Sequence, residues 1–248
     1  MKAKSLSTSA FSSIVRLCAA FCLALGGLAL HPPQPAHAAT TWIVTETNGD
    51  YTNGICNSGF SCYLRDAVAK AQNGDVITFI PSLAGQTISV SSELALTKNI
   101  TIAGPGDSSV TISVNDSNVA RIFNVGSTVT MNNLVLTNGY TTASGGAINN
   151  SGNLTLNNVT IQSSTARNVN GIGGGIFNSG TLIINRSVFL NDTAQGSGGG
   201  GAIYNSSGTV TITDSTFSGN SANQGGAIAN GAQVTVTGST FTGNSGSA

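Results

Sequence analysis

The chain has 248 residues, of which only 7% are Asp, Glu, Lys or Arg, and its formal net charge is zero. An ordinary soluble domain carries roughly 25% charged residues, and no basic patch is present here to neutralise phosphates, which excludes nucleic-acid binding. Apolar residues reach 40%, enough for a core, while 32 Gly and 26 Asn favour short strands and tight turns over amphipathic helices.

Residues 1–38 read as a secretory leader. Lys2, Lys4 and Arg16 supply positive charge, Leu17 to Leu30 is an apolar stretch of 14 residues, and Ala36-His37-Ala38 offers a small-x-small cleavage pattern. The stretch is too short to span a bilayer comfortably. No small-residue lipobox precedes Cys18 or Cys22, so no lipid anchor is expected. A cut after Ala38 leaves 210 residues, 39–248, with a net charge of −3 and no histidine, because His31 and His37 both lie in the leader. Mechanisms that need a histidine base, nucleophile or metal ligand are thereby excluded. The expected location is secreted, extracellular or associated with the cell surface or outer membrane.

Residues 39–80 are expected to form an N-terminal cap and the first strands. Cys56 and Cys62 are the only cysteines after the leader. In an exported protein two nearby cysteines most simply form a structural disulfide, and two sulfurs without histidine make a poor zinc site. Leu64 to Gln72 puts Leu64, Ala67, Val68 and Ala71 on one face and predicts a short helix. Val76–Ile80, Thr87–Val90, Asn99–Ala103 and Val110–Val114 read as strands.

From residue 122 to 248 the chain repeats. Gly-Gly-(Ala or Gly)-Ile occurs at Gly145–Ile148, Gly173–Ile176, Gly200–Ile203 and Gly225–Ile228, with a degenerate earlier copy at Arg121–Asn124. The isoleucines at 122, 148, 176, 203 and 228 are spaced by 26, 28, 27 and 25 residues. Two residues after each stands an asparagine: Asn124, Asn150, Asn178, Asn205 and Asn230. Alternating segments follow, such as Leu154-Thr155-Leu156 and Val210-Thr211-Ile212, then a third apolar position at Leu136, Ile161, Phe189, Phe217 or Phe241. Three short strands per 25–28 residues, with Gly and Asn at the corners, predict an all-β parallel β-helix with a short N-terminal capping helix over its exposed strand edges. The asparagine column is read as structural, each inward amide satisfying turn backbone and the rung beside it.

Cys62-Tyr63-Leu64-Arg65-Asp66-Ala67-Val68 resembles the CSLREA motif at the start of many bacterial exported β-helix proteins, with Cys56 matching its upstream cysteine. The later repeats resemble those of chlamydial polymorphic outer membrane proteins, which carry Gly-Gly-Ala-Ile and Phe-x-x-Asn; Phe217–Asn220 and Phe241–Asn244 keep the second motif, whereas Phe189-Leu190-Asn191-Asp192 does not keep its spacing. The resemblance implies a right-handed parallel β-helix of the pectin-lyase-like superfamily, and surface display or adhesion. It also implies a C-terminal translocator barrel, for which Ser245-Gly246-Ser247-Ala248 leaves no room.

Related folds host polysaccharide lyases and hydrolases, which need convergent carboxylates. From Ile122 onward the acids are Asp192 and Asp214 and the bases Arg167 and Arg186. Repeat alignment puts Asn158, Arg186, Asp214 and Gly238 in one column, with Asp192 in another part of its coil. A lone Arg–Asp pair reads as a surface ion pair. Gly196–Gly201 fits G-x-G-x-x-G but opens no helix. The expectation is therefore a non-catalytic, adhesin-like or surface-interaction passenger without catalytic, cofactor-binding or metal-binding residues. Its expected partner is a cell-surface or extracellular macromolecule, carbohydrate included, with self-association through an uncapped C-terminal rung and no membrane-spanning segment after the leader. The alternatives are a pectate-lyase-like carbohydrate-active enzyme and a truncated fragment of a larger autotransporter or surface protein.

Overall fold

A computed structural model describes residues 38–56, 61–115, 118–167, 169 and 171–246. The predicted leader lies outside the described residues except for Ala38. The described residues form a parallel β-solenoid with one α-helix among them, Leu64–Lys70, and a 3-10 turn at Pro81–Leu83.

Every coil contributes to the same stacked faces. The long face runs through Thr41–Val44, Val76–Phe79 and Ile100–Ala103, then the first halves of Thr128–Thr137 and Asn153–Gln162, then Thr181–Asn185, Thr209–Thr213 and Gln233–Thr237. The second face stacks Thr87–Val90, Val110–Val114, the second halves of the two long strands, Val188–Leu190, Thr216–Ser218 and Thr240–Thr242. A closing face runs from Leu94–Leu96 through Phe123–Val125, Ile148–Asn150, Ile176–Asn178 and Ile203–Asn205 to Ile228–Asn230. Between the second and closing faces lies a narrow third one, made of two-residue strands such as Thr165–Ala166 and Thr193–Ala194. A regular coil thus has four strand segments where the sequence predicts three. The extra one escapes sequence reading because two residues cannot display a period of two.

Alternation in these strands sends one residue of each pair inward. In Asn153–Gln162, Leu154, Leu156, Val159 and Ile161 are buried while their neighbours face out. Equivalent inward residues stack: Ile148, Ile176, Ile203 and Ile228 form one column. Phe189, Phe217 and Phe241 form another, with ring centroids 4.6 and 4.8 Å apart and planes within 5° of parallel. Burying each such side chain contributes roughly 1.5–3 kcal/mol, and since each rung covers its neighbour, the stability belongs to the stack rather than to any single coil.

The Gly-Gly-Ala-Ile motif follows from the tight return to the closing face. The first glycine has a positive φ in all four copies, from 55° at Gly225 to 75° at Gly200, a region that L side chains avoid. The second packs backbone to backbone: a Cβ on Gly201 would come within 2.0 Å of the Gly226 carbonyl oxygen and 2.5 Å of Ser221 N. Ala and Ile then turn inward as core.

At the N-terminal end the helix packs on Thr41–Val44 and Leu94–Leu96, the first strands of the long and closing faces. Leu64 and Ala67 are buried beneath it. Cys56 and Cys62 are disulfide-bonded. Arg65 ties the helix to the next rung, donating to the carbonyl oxygens of Ser92 and Glu93 and pairing with Asp50 at 2.7 Å. The capping helix is therefore where the sequence predicts it, ending at Lys70 rather than Gln72.

Candidate functional site

Most acidic groups of the first coils serve as structural acceptors. Asp75 accepts from Thr40 N, Trp42 Nε1 and Gln72 N at 2.8–2.9 Å. Buried Asp66 accepts from Asn53 N at 3.0 Å, and Glu93 pairs with Arg121 at 2.5 Å. No group of three or more His, Cys, Asp or Glu side chains suited to a metal occurs among the described residues.

In the regular rungs the two acids do not converge. Arg186 and Asp214 occupy equivalent corners between the long and second faces, with φ of 47° and 51°, as do Asn133, Asn158 and Gly238. The column read from the sequence is therefore real. Yet no ion pair joins Arg186 to Asp214 among the described residues. A Cβ on Gly238 would come within 2.2 Å of Asp214 Oδ1, so the carboxylate leans over the following corner, away from Arg186.

Asp192 is in the interior. It is fully buried, and its Oδ1 accepts from Ser164 N at 2.9 Å. Its own backbone N–H donates to Asn220 Oδ1 at 3.0 Å, and Asn220 N donates in turn to Asn244 Oδ1 at 3.0 Å. Asp192, Asn220 and Asn244 thus form one column, so the Phe-x-x-Asn position is kept in the earlier copy with Asp replacing Asn. Asn220 and Asn244 use their Nδ2 to donate to the carbonyl oxygens of Phe189 and Phe217. Asp192 has no such donor when ionised, and its Oδ2 is left without a hydrogen-bond partner. Desolvation by burial pushes its pKa well above the usual carboxylate range, against the lowering effect of the Ser164 backbone N–H. In the same place Gly175 interrupts the Ala147, Ala202 and Ala227 series; a Cβ there would come within 3.1 Å of Asp192 Oδ2.

The predicted asparagine column forms a continuous ladder with one correction. Asn150 Nδ2 donates to Asn178 Oδ1 at 2.6 Å, Asn178 Nδ2 to Asn205 Oδ1 at 2.8 Å, and Asn205 Nδ2 to Asn230 Oδ1 at 2.8 Å. The second amide proton of each goes to turn carbonyls, including those of Thr181, Gly180 and Gly208. Asn124 is not a member. Phe123, not Ile122, pairs with Ile148, which shifts this rung by one residue and puts Val125 opposite Asn150. Asn124 instead faces outward and accepts from Asn149 Nδ2 at 3.0 Å. The reason is local: the Val119-Ala120-Arg121 approach lacks the Gly-Gly pair that sets the frame in later coils.

The outer surface of the long face is a regular array. Its middle column is Thr101, Thr130, Thr155, Ile183, Thr211 and Thr235. One flank holds Thr128, Asn153, Thr181, Thr209 and Gln233, and the other Asn132, Asn157, Asn185, Thr213 and Thr237. From Asn132 to Asn185 the second flank is a side-chain ladder, with amide bonds of 2.8 and 2.9 Å. On the outside of the closing face, half-buried Phe177 and Tyr204 stack at 5.9 Å with planes 5° apart. Sequence reading places Phe189, Phe217 and Phe241 at apolar positions and misses this pair; the inward Ile176 and Asn178 on either side of Phe177 are the signal that reveals it.

No family model matches the chain, and no curated protein matches it. No helix among the described residues is long and apolar enough to cross a membrane.

Proposed function

We propose that the chain is an exported, non-catalytic β-helix that works as an adhesin-like surface-interaction passenger, holding neutral outer faces against a cell-surface or extracellular macromolecule. The observation that carries this reading is the separation of its charges in the regular rungs. Asp192 is buried, Asp214 leans away from Arg186, and among the described residues no acidic cluster forms around either. General acid–base cleavage of a glycosidic bond uses two carboxyl groups flanking one bond. Purified chain coupled to beads is expected to hold them on target cells in a saturable way, competed by free protein. It is expected to release no reducing ends from pectate, with or without calcium. Cleavage that disappears in Arg186→Ala or Asp214→Ala would favour the carbohydrate-active reading instead.

The C-terminal rung supports self-association as part of the same reading. Val236 and Phe241 are 43% and 45% exposed there, and Gln233–Thr237 and Thr240–Thr242 have no further strand beyond them among the described residues. An unpaired apolar edge invites another strand. Sedimentation of this chain is expected to show concentration-dependent dimers, weakened at least tenfold by Val236→Lys and unchanged by Thr87→Lys at the other end. A monomer at high concentration, insensitive to either change, would remove this part of the proposal.

A further inference from the structure

The long face is periodic in two directions. Along the solenoid axis, in-register parallel strands repeat about every 4.7–4.9 Å, and along each strand alternate outward residues repeat at roughly 6.6 Å. Five-residue segments pair one to one from Asn153–Asn157 through Gln233–Thr237, with no bulge to break the register. Among the described residues no hydrogen bond within the protein engages the hydroxyls of Thr130, Thr155, Thr211 or Thr235, so they address solvent. None of the three columns contains a charged side chain.

From this lattice we propose that the long face is an ice-binding surface, its threonine column ordering water into register with a growing ice face. The axial repeat lies close to the shorter repeat of water oxygens on the prism faces of hexagonal ice, so successive rungs of the threonine column meet successive water positions. Threonine offers a hydroxyl that joins the lattice and a methyl that water can enclose, and Ile183 keeps the methyl where it lacks the hydroxyl. Preorganisation favours the match. β-Branched side chains have restricted χ1, and the Asn132–Asn157–Asn185 ladder fixes the neighbouring flank. A face already rigid in its bound form loses little entropy on binding. On the long face two other occupants fit less well, so adhesion falls to the remaining outer faces. A protein partner favours aromatic, Met and Arg side chains at an interface core, and a crystalline polysaccharide favours aromatic stacking; the columns contain none of these residues. The inference goes beyond adhesion to cells, and ice partition and cell adhesion are separate assays, so either can fail alone.

The experiment is ice-affinity partition of the purified exported chain in slowly frozen solution, beside a non-binding protein in the same sample. The chain is expected to concentrate in the ice while the control is excluded. Thr155→Lys with Thr211→Lys is expected to reduce its incorporation at least tenfold. Thr160→Lys with Thr216→Lys, on the second face, is expected to leave it unchanged, with circular dichroism confirming strand content in both. Exclusion of the parent chain from ice would overturn the proposal. So would incorporation indifferent to the long-face pair, or retention on crystalline cellulose or chitin without incorporation into ice.

Discussion

Asn178→Ala is expected to lower the free energy of unfolding by about 3 kcal/mol or more, because the substitution strands several buried groups at once, each worth about 1–3 kcal/mol. Asn178 is fully buried in the middle of the ladder. Its Oδ1 receives Asn150 Nδ2, and its Nδ2 serves both Asn205 Oδ1 and the Gly180 carbonyl oxygen. Removing the amide leaves a donor on one side and acceptors on the other in a space closed to water. Asn230 offers the contrast. It is exposed in the last rung, and its Nδ2 and Oδ1 bond within their own turn to Ala232. Asn230→Ala is expected to cost about 1 kcal/mol, because water can replace what is lost. Urea unfolding of both variants checks this ordering through the midpoint shift at constant m. Equal costs would show that the ladder is not cooperative in the way its geometry implies.

Asp192→Asn is expected to do the opposite and stabilise the protein at neutral pH, by about 1–3 kcal/mol for supplying a partner to a buried unsatisfied group. The variant keeps an Oδ1 acceptor for Ser164 N and gains an Nδ2 that reaches the Ile161 carbonyl oxygen, as Asn220 and Asn244 reach those of Phe189 and Phe217. Gly175 leaves room for it, since no Cβ presses on that oxygen. The pH dependence carries a definite sign. Burial raises the folded pKa of Asp192, so the folded state binds the proton more tightly than the unfolded chain does. Its contribution is fully present below the unfolded value of about 3.9 and is lost as pH rises through the folded pKa, at no more than about 1.4 kcal/mol per pH unit. The gap between variant and parent should widen from about pH 4 upward and then level off. A gap that does not change with pH would mean that Asp192 is not protonated on folding. Gly175→Ala should be tolerated better in the Asp192→Asn background than in the parent, because the Ala–Asn combination already exists at Ala202 and Asn220.

The sequence makes the stacking legible where identical residues recur at a fixed offset. Ile148, Ile176, Ile203 and Ile228, each followed by Asn two residues later, define both a core column and a polar one. Reading fails where a rung departs from that frame. Ile122 looks like the first isoleucine, but Phe123 holds the position, because without the Gly-Gly return the chain enters the closing face one residue later. Phe189-Leu190-Asn191-Asp192 looks like a copy of Phe-x-x-Asn that has lost its spacing, because its asparagine stands one residue early, whereas in the fold Asp192 takes the asparagine's place by shared shape. The third face is hidden because its strands are two residues long. The threonine array is hidden for a different reason. Threonine is a common outward residue on any strand, and only the cross-rung register shows that Thr130, Thr155, Thr211 and Thr235 share one line, where among the described residues their hydroxyls have no partner.

Buried amide ladders, rather than charges, lock the coils in register, and side-chain hydrogen exchange reads this out at single residues. With Nδ2 resonances assigned by NMR, the amide protons of Asn150, Asn178 and Asn205 should exchange only with global unfolding, while those of Asn230 exchange orders of magnitude faster. Exchange of Asn178 at the rate of a free asparagine amide would mean that no such ladder holds the coils together.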